Sequence, residues 1–332
     1  MTHTIRTDLV LEAREFIKEQ AAKQMRQEQE VKGIEVETAG SEDVKVTRVK
    51  VVSPAGEAEI GKPMGNYITV EAPRLRENSK DLYEDTSRTV AIEMENIINI
   101  PNDAPVLIVG LGNWNVTPDA LGPRVVSKVM VTRHMIQNAP EEVQPGTRPV
   151  CAIAPGVLGI TGIETGEIIQ GVVEKAKPAL VIAIDALASR KMERVSTTIQ
   201  MADTGISPGS GVGNKRMSLT KQTLGIPVIA VGVPTVVDAA TIASDAIDMV
   251  LENMAKQTNG SGNQFYDVLK NMEQTQKYTL IQDVLSPYVG NLMVTPKEID
   301  EIIDNIAGII ANGLNIALHE SIGLKDVDRF LN

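Results

Sequence analysis

The chain has 332 residues and a formal charge of −11, because 32 Lys and Arg oppose 43 Asp and Glu. Its length suits one large domain or two closely associated ones, and a hydrophobic content of 42% is typical of a folded protein rather than a disordered one. The acidic balance disfavours an electrostatic grip on phosphates, so we expect no direct nucleic-acid partner.

The amino-terminal part predicts a helix followed by a β-rich segment. Residues 9–30 are charged and have helical periodicity. Residues 44–52 alternate apolar and polar side chains as a half-buried strand does, a turn is predicted at 53–56, and 60–70 contains a second extended piece. We therefore expect a smaller β-rich subdomain near residues 44–73.

Beyond this segment, short apolar runs alternate with helical segments. Four runs are continuously apolar, as strands buried on both faces of a parallel sheet are: 106–109, 150–154, 179–184 and 227–231. Helices are predicted at 84–100, 119–137, 164–177, 238–256, 262–285 and 297–323, with one more apolar piece at 291–294. This pattern predicts an α/β fold with a central, mostly parallel sheet flanked by helices, an α/β core over about 104–256 and a helical carboxy-terminal part over about 262–332.

Functional groups in such a sheet gather beyond the carboxyl ends of the strands. Loops are predicted at those ends, at 110–119, 155–164, 185–189 and 232–238. Asp119 follows the first strand and Asp185 directly ends the third, so their carboxylates could converge. An acid at the end of a buried strand is costly unless something satisfies it, which favours a function for Asp185. Asp119 follows Pro118 and fits a helix start equally well.

Other candidate residues have structural explanations. Asp238 is expected to cap the following helix, and Glu164 and Glu167 are placed to do the same at another helix start. The loops at 110–112 and 207–216 are glycine-rich, but neither has the full spacing of a dinucleotide fingerprint or a Walker A loop. These five features are therefore interpreted first as structure.

Cysteine and histidine chemistry is not indicated. Cys151 is the single cysteine and lies in an apolar strand, where a core position is expected. His3, His134 and His319 lie away from the predicted strand-end loops, and the sequence contains no Gly-x-Ser-x-Gly elbow. No apolar stretch reaches about 18 residues and no secretory signal begins the chain, so we expect an intracellular protein without a membrane partner. Paired carboxylates remain as candidate chemistry.

Four segments resemble a known family in chain order. They are RTDLVLEA at 6–13, GKPMGNYITVEAP at 61–73, GLGNWNVTPDALGP at 110–123 and DTGISPGSGVGNKR at 203–216. These motifs are similar to those of the germination proteases of spore-forming bacteria, which are aspartic-type endopeptidases with a fold similar to hydrogenase maturation proteases. The resemblance covers essentially the whole chain.

The resemblance implies a function and assigns residues to it. The family initiates degradation of small acid-soluble spore proteins during germination, is made as a self-processing zymogen and typically forms homotetramers. By motif, Asp119 and Asp185 match the family's proposed catalytic aspartates, and self-cleavage falls between Asp8 and Leu9. The chain would then comprise a propeptide at 1–8 and a single peptidase domain at 9–332, located in the cytoplasm of the forespore or spore core.

Three hypotheses stay open from the sequence. The first is an aspartate-pair endopeptidase without a cofactor, in which one carboxylate acts as general base on water and the other, protonated, polarises the scissile carbonyl. The second is the same activity through a divalent metal held by Asp119 and Asp185. The third is a Rossmann-like nucleotide-binding module that uses the loops at 110–119 and 207–216.

Overall fold

The structure is a computed structural model that describes residues 7–15, 33–77, 79–209, 216–257, 272, 274–289 and 292–323. Its strands are β1 Ile34–Gly40, β2 Lys45–Val51, β3 Gly65–Glu71, β4 Val106–Gly110, β5 Val150–Ile153, β6 Leu180–Ser189, β7 Thr198–Ala202, β8 Val228–Asp238 and β9 Met293–Val294. Its helices are α1 at 10–15, α2 Pro54–Ile60, α3 Lys80–Ile97, α4 Leu121–Val126, α5 Arg133–Asn138, α6 Leu158–Thr161, α7 Thr165–Ala176, α8 Lys221–Leu224, α9 Ala239–Gln257, α10 Gln274–Val289 and α11 Ile299–Leu318.

The described strands form one nine-stranded sheet in the order β1-β2-β3-β7-β8-β6-β4-β5, with β9 paired to the end of β8. One half of the sheet is parallel and contains, in this order, β8, β6, β4 and β5. Strands β1, β2, β3 and β7 are antiparallel, and β7 joins this half to β8. The predicted α/β fold with a central parallel sheet and a β-rich segment is confirmed, and that segment continues the same sheet.

Alternation of side chains explains how the parallel strands are buried on both faces. Val106 and Ile108 of β4 belong to a core that α3, α4 and α11 cover. Leu107 and Val109 point the other way, into a second core that α7 and α8 cover. Continuously apolar runs are therefore what this position in the sheet requires.

Helix α11 is the main helical support of the larger core. Its buried side chains include Ile303, Ile306, Ile310 and Leu314, and it packs along α3. Within the described residues, it is the one helix long and apolar enough to cross a membrane by length and composition. Two-thirds of that apolar window is buried inside the domain, as expected for a core helix.

Two strands continue farther than the sequence predicts. Strand β6 does not end at Asp185, and β8 does not end at 231, because the two strands keep pairing through residues 189 and 237. The register shifts by one residue between Leu187 and Ala188, as at a β-bulge, and pairing then continues. The loops predicted at 185–189 and 232–238 are thus wrong, and Asp185 lies within a strand.

Several shorter elements also differ from the prediction. The turn predicted at 53–56 is the first turn of α2, where Ser53 Oγ accepts a hydrogen bond from the Gly56 N–H and Pro54 occupies the first position. The helix predicted over 119–137 is divided into α4 and α5. Strands β1 and β7 were missed. The predicted helix over 9–30 is present at 10–15, and its remainder at 16–30 lies outside the described residues, as do residues 262–271 of the predicted 262–285 helix.

Candidate active site

A cavity of about 790 Å³ lies at the carboxyl ends of the parallel strands. Asp119 enters it from the turn after β4, Asp185 from β6, and Asp8 from the segment before α1. The structure therefore brings together the two carboxylates that strand order predicts to converge, and it adds the residue before the predicted processing site.

A short 3-10 turn, Thr117–Asp119, sets the position of Asp119. The Asn113 N–H donates to the backbone oxygen of Asp119 at 3.0 Å, which closes the loop after β4. Gly112 adopts a φ of +111°, and a Cβ there would lie 2.0 Å from the Asp119 carbonyl oxygen. Only glycine fits at position 112, because any side chain would clash with the backbone of the turn that carries Asp119.

Burial controls the ionisation of Asp119. Desolvation raises the pKa of its carboxyl from 3.8 to about 6, although a backbone hydrogen bond from Asn113 opposes the rise. A carboxyl with this pKa is ionised at neutral pH and accepts a proton more readily than an exposed aspartate. These are the properties of a general base.

Asp185 is more deeply buried, with only 6% of the residue exposed. Its Oδ1 accepts a hydrogen bond from the Ala186 N–H at 2.9 Å. Burial raises the pKa of this carboxyl well above 3.8, and the charges of Asp119 and Asp8 raise it further. Asp185 is therefore the group of the pair that keeps its proton when Asp119 is ionised.

The amino-terminal segment contacts β6 through Asp8. The Asp8 N–H donates to the Ala188 carbonyl at 3.2 Å, and the Ala188 N–H donates to Asp8 Oδ2 at 3.0 Å. The carbonyl oxygen of Asp8 accepts from Lys62 Nζ at 3.0 Å and from Gln200 Nε2 at 3.2 Å. Leu9 is fully buried. Asp8, Lys62 and Gln200 line the cavity that also contains the two carboxylates, so these contacts place the residue before the Asp8–Leu9 bond at the site.

Helix α1 is anchored just beyond this bond by Glu12. Its carboxylate accepts hydrogen bonds from the backbone N–H groups of Arg190 at 2.7 Å and Lys191 at 2.9 Å. Arg194 lies 3.6 Å from Glu12 and also donates to Glu15. A buried acid with these partners fixes the start of the described chain against the loop after β6.

Metal ligands are sparse in this part of the protein. Across the described ranges, no group of three or more His, Cys, Asp and Glu side chains is arranged to hold a metal ion. Asp119 and Asp185 alone would supply two protein ligands, whereas catalytic zinc sites use three. His319 is buried elsewhere, where its Nδ1 accepts from the Arg148 N–H at 3.2 Å.

The residues interpreted as structural have mixed outcomes. Asp238 caps α9 as predicted, because its Oδ1 accepts from the Ala240 N–H at 2.8 Å. Glu164 precedes α7 but its side chain makes no cap, so that prediction is wrong. It accepts instead from the Met217 N–H at 3.4 Å. Glu167 lies in the first turn of α7.

The glycine-rich loop after β4 is packed against its own chain. A Cβ on Gly122 would lie 2.3 Å from the Leu111 carbonyl oxygen, so glycine permits β4 and α4 to approach closely. Residues 210–215 of the second glycine-rich loop lie outside the described residues. Cys151 is half-buried beside the smaller core, and burial raises the pKa of its thiol.

Sequence reasoning missed Lys62 and Gln200 as site residues. Lys62 lies in the motif GKPMGNYITVEAP at 61–73. Gln200 is the polar residue at the centre of β7, a strand that the sequence pattern did not predict. An alternating pattern in 198–202 was the available signal, since buried Ile199 and Met201 flank Gln200.

Comparison with known proteins gives a consistent result. A family model described as germination protease matches residues 10–268 and 258–331. Proteins named germination protease from Clostridium perfringens, Caldanaerobacter subterraneus subsp. tengcongensis and Halalkalibacterium halodurans are 53%, 54% and 46% identical to this chain. Each alignment covers 99% of this chain, and they cover 100%, 98% and 97% of the respective relatives.

The buried carboxyls predict an unusual dependence of stability on pH. The folded-state pKa of Asp119 is about 6, above its ordinary value, so the folded chain binds more protons than the unfolded chain between about pH 4 and 6. This group's contribution to stability is therefore lost as pH rises through that window. Asp119→Asn should raise the free energy of unfolding at pH 7 by roughly 1–2 kcal/mol, after allowance for partial exposure.

Chemical denaturation at pH 4 and pH 7 measures the effect. The gain from Asp119→Asn should shrink towards pH 4, where the wild-type carboxyl is protonated in the folded chain. Asp43→Asn is the matched control, because Asp43 is exposed and pairs with Arg74 on the surface; it should change stability little at either pH. An Asp119→Asn protein that is less stable than wild type at pH 7 would contradict this account of the site.

Proposed function

The chain belongs to the germination protease family, and on that premise we propose that this peptidase initiates degradation of small acid-soluble spore proteins through the pair Asp119 and Asp185. We propose further that it is a zymogen that cleaves its own chain between Asp8 and Leu9. The observation that carries the proposal is one cavity lined by Asp8, Asp119 and Asp185, together with Lys62, which donates to the Asp8 carbonyl.

The two carboxyls divide the proton transfers between them. Ionised Asp119 takes a proton from water, and the water oxygen adds to the carbonyl carbon of the scissile bond. Protonated Asp185 then gives its proton to the leaving nitrogen as the C–N bond breaks. The products are a carboxylic acid and an amine, and transfer of the proton from Asp119 to Asp185 restores the pair.

The Asp8–Leu9 segment supports a preference for an acid followed by an aliphatic residue. The Asp8 side chain accepts from the Ala188 N–H, and the Leu9 side chain is fully enclosed. This pattern is similar to the acidic-then-hydrophobic sites that the family cuts in spore proteins. The enzyme would therefore treat its own amino-terminal segment up to α1, called the leader below, as a substrate that is already docked.

The wider setting of this activity is carried over from the family. We propose a homotetramer in the cytoplasm of the forespore or spore core, with spore proteins as its partners and no nucleic acid or membrane bound directly. The acidic charge of −11 is consistent with an enzyme that acts on DNA-associated proteins without holding DNA.

Removal of either carboxyl should abolish peptide cleavage. Asp119→Asn and Asp185→Asn keep side-chain size but cannot exchange protons, so each should lower kcat/KM at least 100-fold. The double variant should be little worse than either single one, because the pair acts as a unit. The measurement is cleavage of a purified small acid-soluble spore protein, with and without a chelator.

Asp238→Asn is the matched control, because Asp238 is a carboxyl about as buried as that of Asp185 and its cap survives the change. It should retain activity within about twofold. More than a few per cent activity in Asp119→Asn or Asp185→Asn would reject the pair, and inactivation by the chelator would favour the metal hypothesis.

The pH profile should have two limbs. Cleavage needs ionised Asp119 and protonated Asp185, so kcat/KM should rise as pH increases through about 6, the pKa of Asp119, and fall at higher pH as Asp185 loses its proton. At pH 5 the rate should be about tenfold below its maximum. Initial rates from pH 4.5 to 9 test this, and a rate that keeps increasing above pH 8 would contradict the assignment of Asp185 as the acid.

Self-processing should depend on the same pair. The full-length chain, incubated at a pH just above about 6, where Asp119 is ionised and Asp185 keeps its proton, should yield a product that begins at Leu9, whereas Asp185→Asn should stay full length. Amino-terminal sequencing and intact mass identify the product. A mature chain that begins elsewhere would reject the site, and maturation of isolated Asp185→Asn protein would reject self-cleavage.

A further inference from the structure

Two side chains converge on one backbone oxygen inside the cavity. The carbonyl oxygen of Asp8 accepts from Lys62 Nζ at 3.0 Å and from Gln200 Nε2 at 3.2 Å. A carbonyl oxygen has two lone pairs, so these donors satisfy both. This oxygen belongs to the peptide bond that the proposed self-cleavage would break.

Gln200 also contacts the chain on the other side of that bond. Its Oε1 accepts from the Val10 N–H at 2.7 Å while its Nε2 donates to the Asp8 carbonyl. One amide group therefore spans the Asp8–Leu9 bond and binds only backbone atoms. Such contacts are available from any extended peptide and do not depend on the leader's side chains.

Strand β7 holds Gln200 rigidly in place. Gln200 pairs with Thr69 of β3 on one side and with Gly232 of β8 on the other. Ile199 and Met201 on either side of it are buried in the larger core. Because the backbone is fixed between two strands, the amide is oriented before any substrate arrives.

Lys62 supplies a positive charge to the same oxygen. It follows α2 directly after Gly61, whose left-handed conformation ends the helix. Burial lowers the pKa of the Lys62 ammonium, whereas the charges of Asp8 and Glu12 oppose that change. A partly desolvated cation aimed at a carbonyl oxygen interacts most strongly when that oxygen becomes negatively charged.

We propose that Lys62 and Gln200 are the oxyanion-binding pair of this peptidase, acting on its own leader and on substrate proteins alike. The assignment rests on the proposed function and deepens it. When water adds to the carbonyl carbon, the electron pair of the C=O bond moves to the oxygen, and these two donors stabilise the charge. The pair returns to form the carbonyl as the C–N bond breaks, and neither residue gives up a proton.

This assignment accounts for the division of labour between the aspartates. Since Lys62 and Gln200 occupy both lone pairs of the oxygen, Asp185 is not required to polarise the carbonyl. Its proton is available for the leaving nitrogen, which needs one before the bond can break. The cavity thus has a separate group for each charge that develops during hydrolysis.

A purely structural role for Lys62 and Gln200 makes a different prediction. If they only anchor the leader, their loss should undock residues 7–15, and cleavage should slow by the same factor as the docked fraction falls. If they bind the oxyanion, the rate should fall while the leader stays docked, because Asp8, Leu9 and Glu12 keep their other contacts. Hydrogen exchange of the Val10 and Ala188 amides reports docking independently of cleavage.

The experiment measures first-order self-cleavage of the full-length chain and hydrogen exchange on the same preparations. Lys62→Met removes the charge at similar length and should slow cleavage 100-fold or more. Gln200→Glu keeps an acceptor for the Val10 N–H but loses the donor to the carbonyl, and should slow cleavage comparably. Lys62→Arg keeps a cation and should recover part of the rate. Exchange at Ala188 should stay within twofold of wild type in all three.

Lys191→Met is the matched control, because Lys191 is a second lysine that holds the amino-terminal segment, through Glu15 at 2.8 Å. It should leave the cleavage rate within about twofold. Wild type and Asp185→Asn accompany the series to test the proposed function itself. A wild-type chain that never matures overturns both proposals. Normal maturation of Lys62→Met, or slowing matched by lost protection, overturns the oxyanion assignment alone.

Discussion

A carboxyl group buried within a β-strand is the constraint on which the rest of the site depends. Asp185 lies in β6 with 6% of the residue exposed, and its Oδ1 accepts from the neighbouring Ala186 N–H. An ionised carboxylate would be costly there, so the group keeps its proton and the nearby charge of Asp119 reinforces that state. The fold bears this cost because the same strand carries Ile182 and Ile184 in the larger core. The apolar side chains beside Asp185 in the strand stabilise the fold, and the proton that Asp185 retains can be donated during a reaction.

The cavity lies where the two halves of the sheet meet. The parallel half contributes the carboxyls through β4 and β6, and the antiparallel half contributes Gln200 through β7. Strand β8 joins the halves, and at Gly232 it presents no side chain; a Cβ there would lie 2.5 Å from Leu187. A change of strand direction at this place creates the crevice, as topological switch points do in other α/β proteins. Neither half alone contains the full set of groups.

The sequence predicted the parallel part of this arrangement better than the antiparallel part. The apolar runs at 106–109, 179–184 and 227–231 mark β4 and the first parts of β6 and β8, which are buried on both faces. Asp119 and Asp185 could be placed at one edge from strand order alone. The continuation of β6 past Asp185 was missed, because pairing with β8 outweighs the local signal of an acid. Gln200 was missed with β7, whose partners are distant in sequence, and Lys62 has a role only through contacts with a segment 54 residues away. Local patterns carry no information on such contacts.

The contacts that hold α1 in place affect whether another protein can reach the site. Val10 lies in a small core with Val49 and Tyr67, and Glu12 is bound by the backbone of the loop after β6. Because the leader is tethered to the cavity, its effective concentration there is high and an external substrate competes poorly. Cleavage of the Asp8–Leu9 bond would release only the residues up to Asp8. Leu9 and α1 would keep their contacts with the rest of the protein. On the proposed function, cleavage of spore proteins then requires a second step, in which the Glu12 contacts break and the segment that begins at Leu9 moves away from Gln200. On the proposed function, hydrolysis and release of the anchor are separate events, and the second sets when the enzyme accepts a substrate.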